Sequence, residues 1–202
     1  IGKDDFWVGV WQYLINGRGE YPVPVYLLDT NISGNSPKYS SLTGQLYGSG
    51  RDYRLMQEIV LGRGGVKILQ SLGHKYLRKF HINEGHGSLA AVELFSASKE
   101  KRNEDKIEEV RRKCVFTTHT PVDAGHDIFP LDFFLEYQND FPYKLKNLVD
   151  NKIINMTKVG LFFSNFINGV ALSHQKVSNK MFPEYPIHAI TNGVHSETCT
   201  SP

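Results

Sequence analysis

Only two cysteines are present, Cys114 and Cys199, and they lie far apart. That rules out a disulfide framework and fits a reducing compartment, so a cytoplasmic location is expected. Long apolar runs are missing too. The longest, around Val159-Gly160-Leu161-Phe162-Phe163, falls far short of the roughly 20 residues that a membrane-spanning helix needs. No excess of charge exists in either direction: 23 basic and 21 acidic residues leave a formal net charge of +2. A nucleic-acid binder concentrates basic charge on one face, and this balance argues against one. The one dense charged stretch, Lys99 to Lys113, mixes both signs and reads as a solvated helix face with Glu/Lys pairing. No Gly-x-Ser-x-Gly elbow is present, which removes the commonest serine-nucleophile signature. Two glycosylation triplets, at Asn31 and Asn155, are of a kind that arises often by chance.

What is present is the composition of a folded domain. The 202 residues are 40% hydrophobic and 22% charged, enough for one sizeable α/β unit with a buried core. Phe6 to Leu14 and Val23 to Leu28, with Asn16-Gly17 and Gly19 between them, read as a hairpin. Thr30 to Gly50 is a long Ser-, Asn-, Gly- and Pro-rich connection. From Arg51 the spacing of Leu55, Ile59, Val66 and Leu69 turns helical, broken by Gly62, Gly64 and Gly65. The Gly62-Arg63-Gly64-Gly65 run lacks the Lys-Ser/Thr of a phosphate loop and has no strand before it, so close helix packing is the better explanation.

Beyond Gly73 strands and helices alternate. Strands are expected at Tyr76 to Ile82, Cys114 to Thr118, Gly169 to Leu172 and His188 to Thr191. Helices are expected at His86 to Ser98 and Lys101 to Lys113, and over a stripe of Met156, Val159, Phe163 and Phe166. That order predicts an α/β fold, a Rossmann-like mostly parallel sheet flanked by helices. No repeat or internal domain boundary divides residues 1–202. The start lacks an initiator Met and runs straight into a strand, and the end follows a strand with no closing element. The chain is therefore expected to be part of a longer protein.

Three of the expected strands end in polar clusters: His81-Ile82-Asn83-Glu84-Gly85-His86, Thr117-Thr118-His119-Thr120-Pro121, and Ile190-Thr191-Asn192-Gly193-Val194-His195. In an open parallel sheet ligands bind beyond the carboxyl ends of the strands. One carboxylate with imidazoles and amides at that edge makes a polar pocket suited to a sugar's hydroxyls. Each residue also has a plain structural role open to it. His81 can be a strand histidine, Asn83 and Asn192 turn formers, and Glu84 and His86 caps for the following helix. A metal site is disfavoured, because His81-x-x-Glu84-x-His86 straddles a strand and a turn and matches no helical ligand spacing.

At these residues the chain resembles the α-glucan (glycogen, starch, maltodextrin) phosphorylases, in their shorter bacterial-type branch. The matching stretches are Pro24 to Thr30, Arg54 to Glu58, His81 to His86, Val115 to Val122, Ala124 to Asp127, Asn155 to Thr157, Asn168 to Ala171, and Met181 to His195. They occur in the family's order and cover nearly the whole chain. The resemblance implies part of the N-terminal half of a two-domain glycosyltransferase architecture, with the C-terminal cofactor domain absent. It implies phosphorolysis of a terminal α-1,4-linked glucose to α-glucose 1-phosphate with retention, in an enzyme using pyridoxal phosphate. The Schiff-base lysine of that cofactor belongs to the missing domain, so no cofactor-binding residue and no bound cofactor are expected here, and the chain alone is expected to be inactive.

By the same resemblance His119 is the catalytic candidate, touching the glucosyl 6-hydroxyl through its ring and stabilising the anomeric carbon through its carbonyl. Asn192 contacts the same glucose, Glu84 and His86 line the pocket beside the anomeric carbon, and Asn83 orients them. No metal is expected. The implied partners are α-1,4-glucan, glucose 1-phosphate and inorganic phosphate, with no nucleic acid and no membrane, and the complete enzyme is expected to be a homodimer. The chain departs from the family at Cys199, where the family has a Trp lining the cofactor pocket, and it lacks the family's N-terminal glycine-rich loop. Two other readings are a nucleotide-sugar glucosyltransferase of the starch synthase type, whose Lys-x-Gly-Gly loop is not found, and a non-catalytic carbohydrate-binding remnant.

Overall fold

The computed structural model describes residues 1–194 except 3, 18, 20, 47, 49, 123 and 124. His195 and Cys199 lie outside the described residues, as does Ala124 of the matching stretch that ends at Asp127. The chain opens with β1 (Gly9–Ile15) paired antiparallel to β2 (Val23–Asp29), Trp11 opposite Leu27 and Tyr13 opposite Val25. The hairpin forms as expected, with β1 starting at Gly9 rather than Phe6. On its outer face Trp11, Tyr13, Ile15, Val23 and Leu27 are all exposed. Leu28 packs instead with Phe6 and Val8 against a small cluster of Tyr39, Leu42, Met56 and Val60.

After the short α1 (Pro37–Ser40), α2 (Arg51–Ile59) runs through a π-helical turn over 60–64 into α3 (Gly65–Ser71). The glycines do not break the helix, and one of them allows close packing. A Cβ on Gly62 would lie 2.7 Å from Leu89 Cβ, a separation no real pair of carbons sustains. Beside it Arg63 turns inward, its guanidinium meeting Asp140 at 2.9 Å through both terminal nitrogens and Glu93 at 3.3 Å. The wider helical turn thus packs a backbone on one side and places a buried cation on the other.

The central sheet has four parallel strands in sequence order: β3 (Phe80–Asn83), β4 (Cys114–Thr118), β7 (Phe166–Gly169) and β8 (His188–Ala189). Between β3 and β4 lie α4 (Leu89–Ala97) and α5 (Asn103–Lys113). On α5 Glu109 bonds Lys113 at 2.6 Å and Glu108 meets Arg112 at 3.3 Å, the expected helix-face pairing. Between β4 and β7 the chain inserts the ribbon of β5 (Ile128–Pro130) and β6 (Ile153–Asn155), with α6 (Leu131–Tyr137) between them, and then α7 (Met156–Phe162). Helix α8 (Leu172–Met181) links β7 to β8. The α/β architecture with a parallel sheet flanked by helices is therefore present.

Several element bounds differ from the sequence expectation. The strand expected over Tyr76 to Ile82 is only Phe80–Asn83, because the chain before it is a turn in which Tyr76 is exposed. The helical stripe expected to reach Phe166 stops at Phe162, and Phe166 opens β7. Leu172 starts α8 rather than ending a strand. The last strand is shorter than expected, His188–Ala189.

The core lies where α4 and α7 cover β4, around fully buried Leu89, Phe116, Met156, Val159 and Phe163. Gly160 makes the contact of α7 with the sheet close: a Cβ there would lie 2.3 Å from the Phe116 ring and 2.6 Å from Ser88 Oγ. Gly160→Ala is expected to cost about 1–3 kcal/mol through overpacking. Gly65→Ala, with nothing within 4 Å of the added carbon, is expected to gain about 0.5–1 kcal/mol of helix propensity. Urea unfolding midpoints check both.

Candidate functional site

Parallel register puts Asn83, Thr117, Asn168 and His188 in one row across the sheet, so the chain leaves β3 and β4 at the same carboxyl edge. There Thr117 Oγ1 donates to Asn168 Oδ1 at 2.9 Å. A hydroxyl has one proton to give, so His81 Nε2, 2.6 Å away on the other side, is the donor in that contact. His81 is thus a strand histidine tied into a polar line across β3, β4 and β7, the plain structural alternative considered for it.

The turn after β3 has an unusual backbone. Glu84 has φ 66° and ψ 172°, a region used almost exclusively by glycine that costs a residue with a side chain roughly 1–3 kcal/mol. Its carboxylate is nearly buried, at 8% exposure, and meets donors on four sides. Oε2 accepts from His119 N at 2.7 Å and Thr120 Oγ1 at 2.9 Å. Oε1 accepts from Gly85 N at 3.3 Å and Thr118 Oγ1 at 3.4 Å. Its own N–H donates to Thr117 O at 2.8 Å. The bond to Gly85 is the capping role open to Glu84, here at a single 3-10 turn over Gly85–Gly87 that leads into α4.

His119, the first residue past β4, is exposed. Its Nε2 is 2.7 Å from Asn83 Oδ1, so Nε2 carries the proton and Nδ1 of the neutral ring is left as an acceptor. Asn83, Glu84 and His119 are thereby brought together. Asn192 stands beyond β8 with an exposed side chain, and its N–H donates to Val170 O at 3.2 Å. Its place at the edge comes from the β7–β8 connection, and it shares that edge with His119 without a contact to it among the described residues.

His86 enters a separate cluster. Its Nδ1 is 3.0 Å from Arg54 Nη2, and Arg54 reaches Asp127 Oδ2 with Nη2 at 2.8 Å and Nε at 3.1 Å. Glu58, one helical turn beyond Arg54, approaches its Nε at 3.5 Å. Burial of Asp127 opposes its ionisation, but the hydrogen bonds and charge of Arg54 prevail and hold its carboxyl well below the usual range. Glu58 goes the other way: burial first, then the neighbouring Asp127 charge, raise it well above 4.5, so it keeps its proton. Nothing in the sequence pattern marks Arg54, Glu58 and Asp127 as partners beyond the i, i+4 step of the first two, since Asp127 comes from a distant loop. Arg54, Glu58 and His86 line a cavity of about 500 Å³ whose wall is otherwise mostly aliphatic, with Leu27, Leu28, Leu42 and Leu61 among its residues.

Compared with known proteins, the chain matches no family model. Individual relatives match well. It is 34% identical to a glycogen phosphorylase of Mycobacterium tuberculosis over 89% of this chain and 25% of that protein. A maltodextrin phosphorylase of Thermococcus litoralis is 34% identical over 87% of this chain and 23% of its own length. A glycogen phosphorylase of Aquifex aeolicus is 34% identical over 98% of this chain and 31% of its own length. The chain is homologous to the α-glucan phosphorylases. It spans between about a quarter and a third of these relatives.

This phosphorylase homologue has no helix among its described residues long and apolar enough to cross a membrane. Homology supports a phosphorylase-related role within a glycosyltransferase family. The chemistry at the edge fits neutral polyol recognition: imidazole and amide groups presented beside one buried carboxylate, with Cys114 removed as a nucleophile because burial pushes its thiol up to about 12.

The Glu58–Asp127 pair has a measurable signature. Above pH 4.5 the unfolded chain gives up the Glu58 proton while the folded chain keeps it, so Glu58 takes stability away as pH rises toward its folded value. Asp127 contributes stability above its usual 3.8 that is lost as pH falls toward its lower folded value. Glu58→Gln is therefore expected to gain stability relative to the parent as pH rises from 4.5, in urea unfolding. Parallel pH curves for the two proteins would contradict the assignment.

Proposed function

We propose that this chain is the glucose-recognition part of an α-glucan phosphorylase, an enzyme that cleaves a terminal α-1,4-linked glucose with inorganic phosphate to give α-glucose 1-phosphate with retention. The observation that carries the reading is the joining of Asn83, Glu84 and His119 at the edge of a parallel sheet, in a chain homologous to phosphorylases. In this reading residues 1–202 are part of the N-terminal, Rossmann-like domain of a longer, cytoplasmic and homodimeric enzyme.

His119 is the catalytic candidate. Its unprotonated Nδ1 accepts from a glucosyl hydroxyl, and its carbonyl dipole favours positive charge at the anomeric carbon. Asn83 sets the tautomer that leaves Nδ1 available. Asn192 supplies a second directional contact from the far strand. Glu84 gives the pocket a fixed negative charge, and His86, held by Arg54, which Asp127 in turn anchors, forms the adjoining wall.

The residues at this edge do not fit the pyridoxal phosphate of the family. The loops that follow the four parallel strands, residues 84–88, 119–127, 170–171 and 190–194, contain no lysine for a Schiff base. In this reading the cofactor is supplied by another part of the enzyme.

Titration of the isotopically labelled chain with α-glucose 1-phosphate, followed by NMR, tests the reading. A ligand of this size has only about 16 non-hydrogen atoms, so at roughly 0.3 kcal/mol per atom its affinity should be millimolar or slightly better. Resonances of Asn83, His119 and Asn192 are expected to move together, and His119→Ala to abolish the effect while leaving the fold intact. ADP-glucose that bound well while glucose 1-phosphate did not would favour the nucleotide-sugar transferase instead. The chain given glycogen and phosphate is expected to yield no glucose 1-phosphate, since it carries no proton relay for the phosphate.

A further inference from the structure

We infer that Glu84 is a positioning residue that acts through His119, forming with Asn83 a two-point clamp that fixes His119 by its backbone and by its ring. The inference rests on the role given to His119 above. Three observations carry it. First, the two clamp residues are adjacent in sequence but grip different parts of the same residue: Asn83 Oδ1 takes the ring N–H at 2.7 Å and Glu84 Oε2 takes the backbone N–H at 2.7 Å. Second, the Glu84 carboxylate is fully engaged by protein donors from 85, 118, 119 and 120. A carboxylate with two donors on each oxygen has little capacity left for sugar hydroxyls. Third, the position is one where glycine would be free of strain, yet a glutamate occupies it at φ 66°.

The backbone conformation is what lets the carboxylate reach. With φ positive, the chain turns sharply after β3, and the same residue both donates its N–H to Thr117 O and folds its side chain back over the end of β4. A glycine would turn as sharply but leave the N–H of His119 and the hydroxyls of Thr118 and Thr120 without their shared acceptor. The clamp leaves two polar groups of His119 uncommitted among the described residues, Nδ1 and the carbonyl oxygen. These are the two groups the proposed reaction uses, so the clamp restricts His119 to the orientation in which both remain available. His86, the other candidate of this turn, is not part of the clamp, being held from the Arg54 side.

Hydrogen exchange on the 202-residue chain tests the clamp without a ligand. Hydrogen bonds to charged acceptors are among the stronger ones. Glu84→Gln is therefore expected to speed exchange of the His119 amide by about ten- to a hundredfold, with amides of the core strand residues Phe116 and Ile167 unchanged. Glu84→Gly, which removes strain and carboxylate together, is expected to leave global stability close to the parent while speeding exchange at His119 to the same degree. If Gln and Gly leave His119 exchange within twofold of the parent, or if exchange rises equally throughout the chain, the clamp is overturned and Glu84 is a general structural residue. Glucose 1-phosphate titrated into both variants then separates the two readings. A clamp that behaves as stated, in a chain whose parent form shows no binding, overturns the glucose reading alone. Weaker binding by the variants at retained stability supports both.

Discussion

One carboxylate joins the ends of two neighbouring strands. Parallel strands hydrogen-bond evenly along their length, but where they end their last amides and carbonyls need other partners. Glu84 satisfies several of these at once, taking the N–H of His119 and the hydroxyls of Thr118 and Thr120 while its own N–H is given to Thr117 O. The orientation of His119 depends on this, because an exposed residue one step past a strand would otherwise be free to swing. The stress placed on the Glu84 backbone is offset by bonds to a charged group in a mostly buried place, where such bonds are strong.

A second electrostatic unit supports the neighbouring wall. Arg54, Asp127 and His86 form a compact set in which one ionised carboxylate serves one guanidinium, and Glu58 joins as a neutral acid. Protonating Glu58 avoids placing two negative charges in a partly buried space, which would be costly. The arrangement ties α2 to the loop that precedes β5 and so couples the helical layer to the polar edge of the sheet.

The architecture was largely legible in the residue pattern, and the reasons are particular. Cys114 to Thr118 is a run of five between a charged helix and a proline-containing turn, and β4 has those bounds. The charged helix is also close to its expected extent, Asn103–Lys113. The pattern misleads around Phe163 and Phe166, whose three-residue spacing imitates a helical stripe although the helix has already ended at Phe162. Periodicity cannot mark a boundary when both sides of it are apolar and buried. Strands β5 and β6, three residues each, are too short to show alternation, and α6 and α8 went unmarked for want of a clean apolar stripe. At the edge, polar clusters after strands identify which residues gather there, but not who bonds whom. The Glu84–His119 and Arg54–Asp127 pairings bridge 35 and 73 positions, and only the folded register brings them into contact.

The outer face of the amino-terminal hairpin bears on how this chain behaves in solution. Trp11, Tyr13, Ile15, Val23 and Leu27 form a greasy ladder on a two-stranded ribbon with two open edges. Ribbons of this kind invite edge-to-edge pairing between molecules, and the charge on that face, Asp29, is taken up by the Trp11 indole N–H at 3.1 Å. The hairpin thus offers an apolar self-association surface separate from the polar edge of the sheet. Substitutions at Trp11, Tyr13, Ile15 or Val23 change this surface without touching the polar edge, whereas Leu27 also lines the cavity shared with His86.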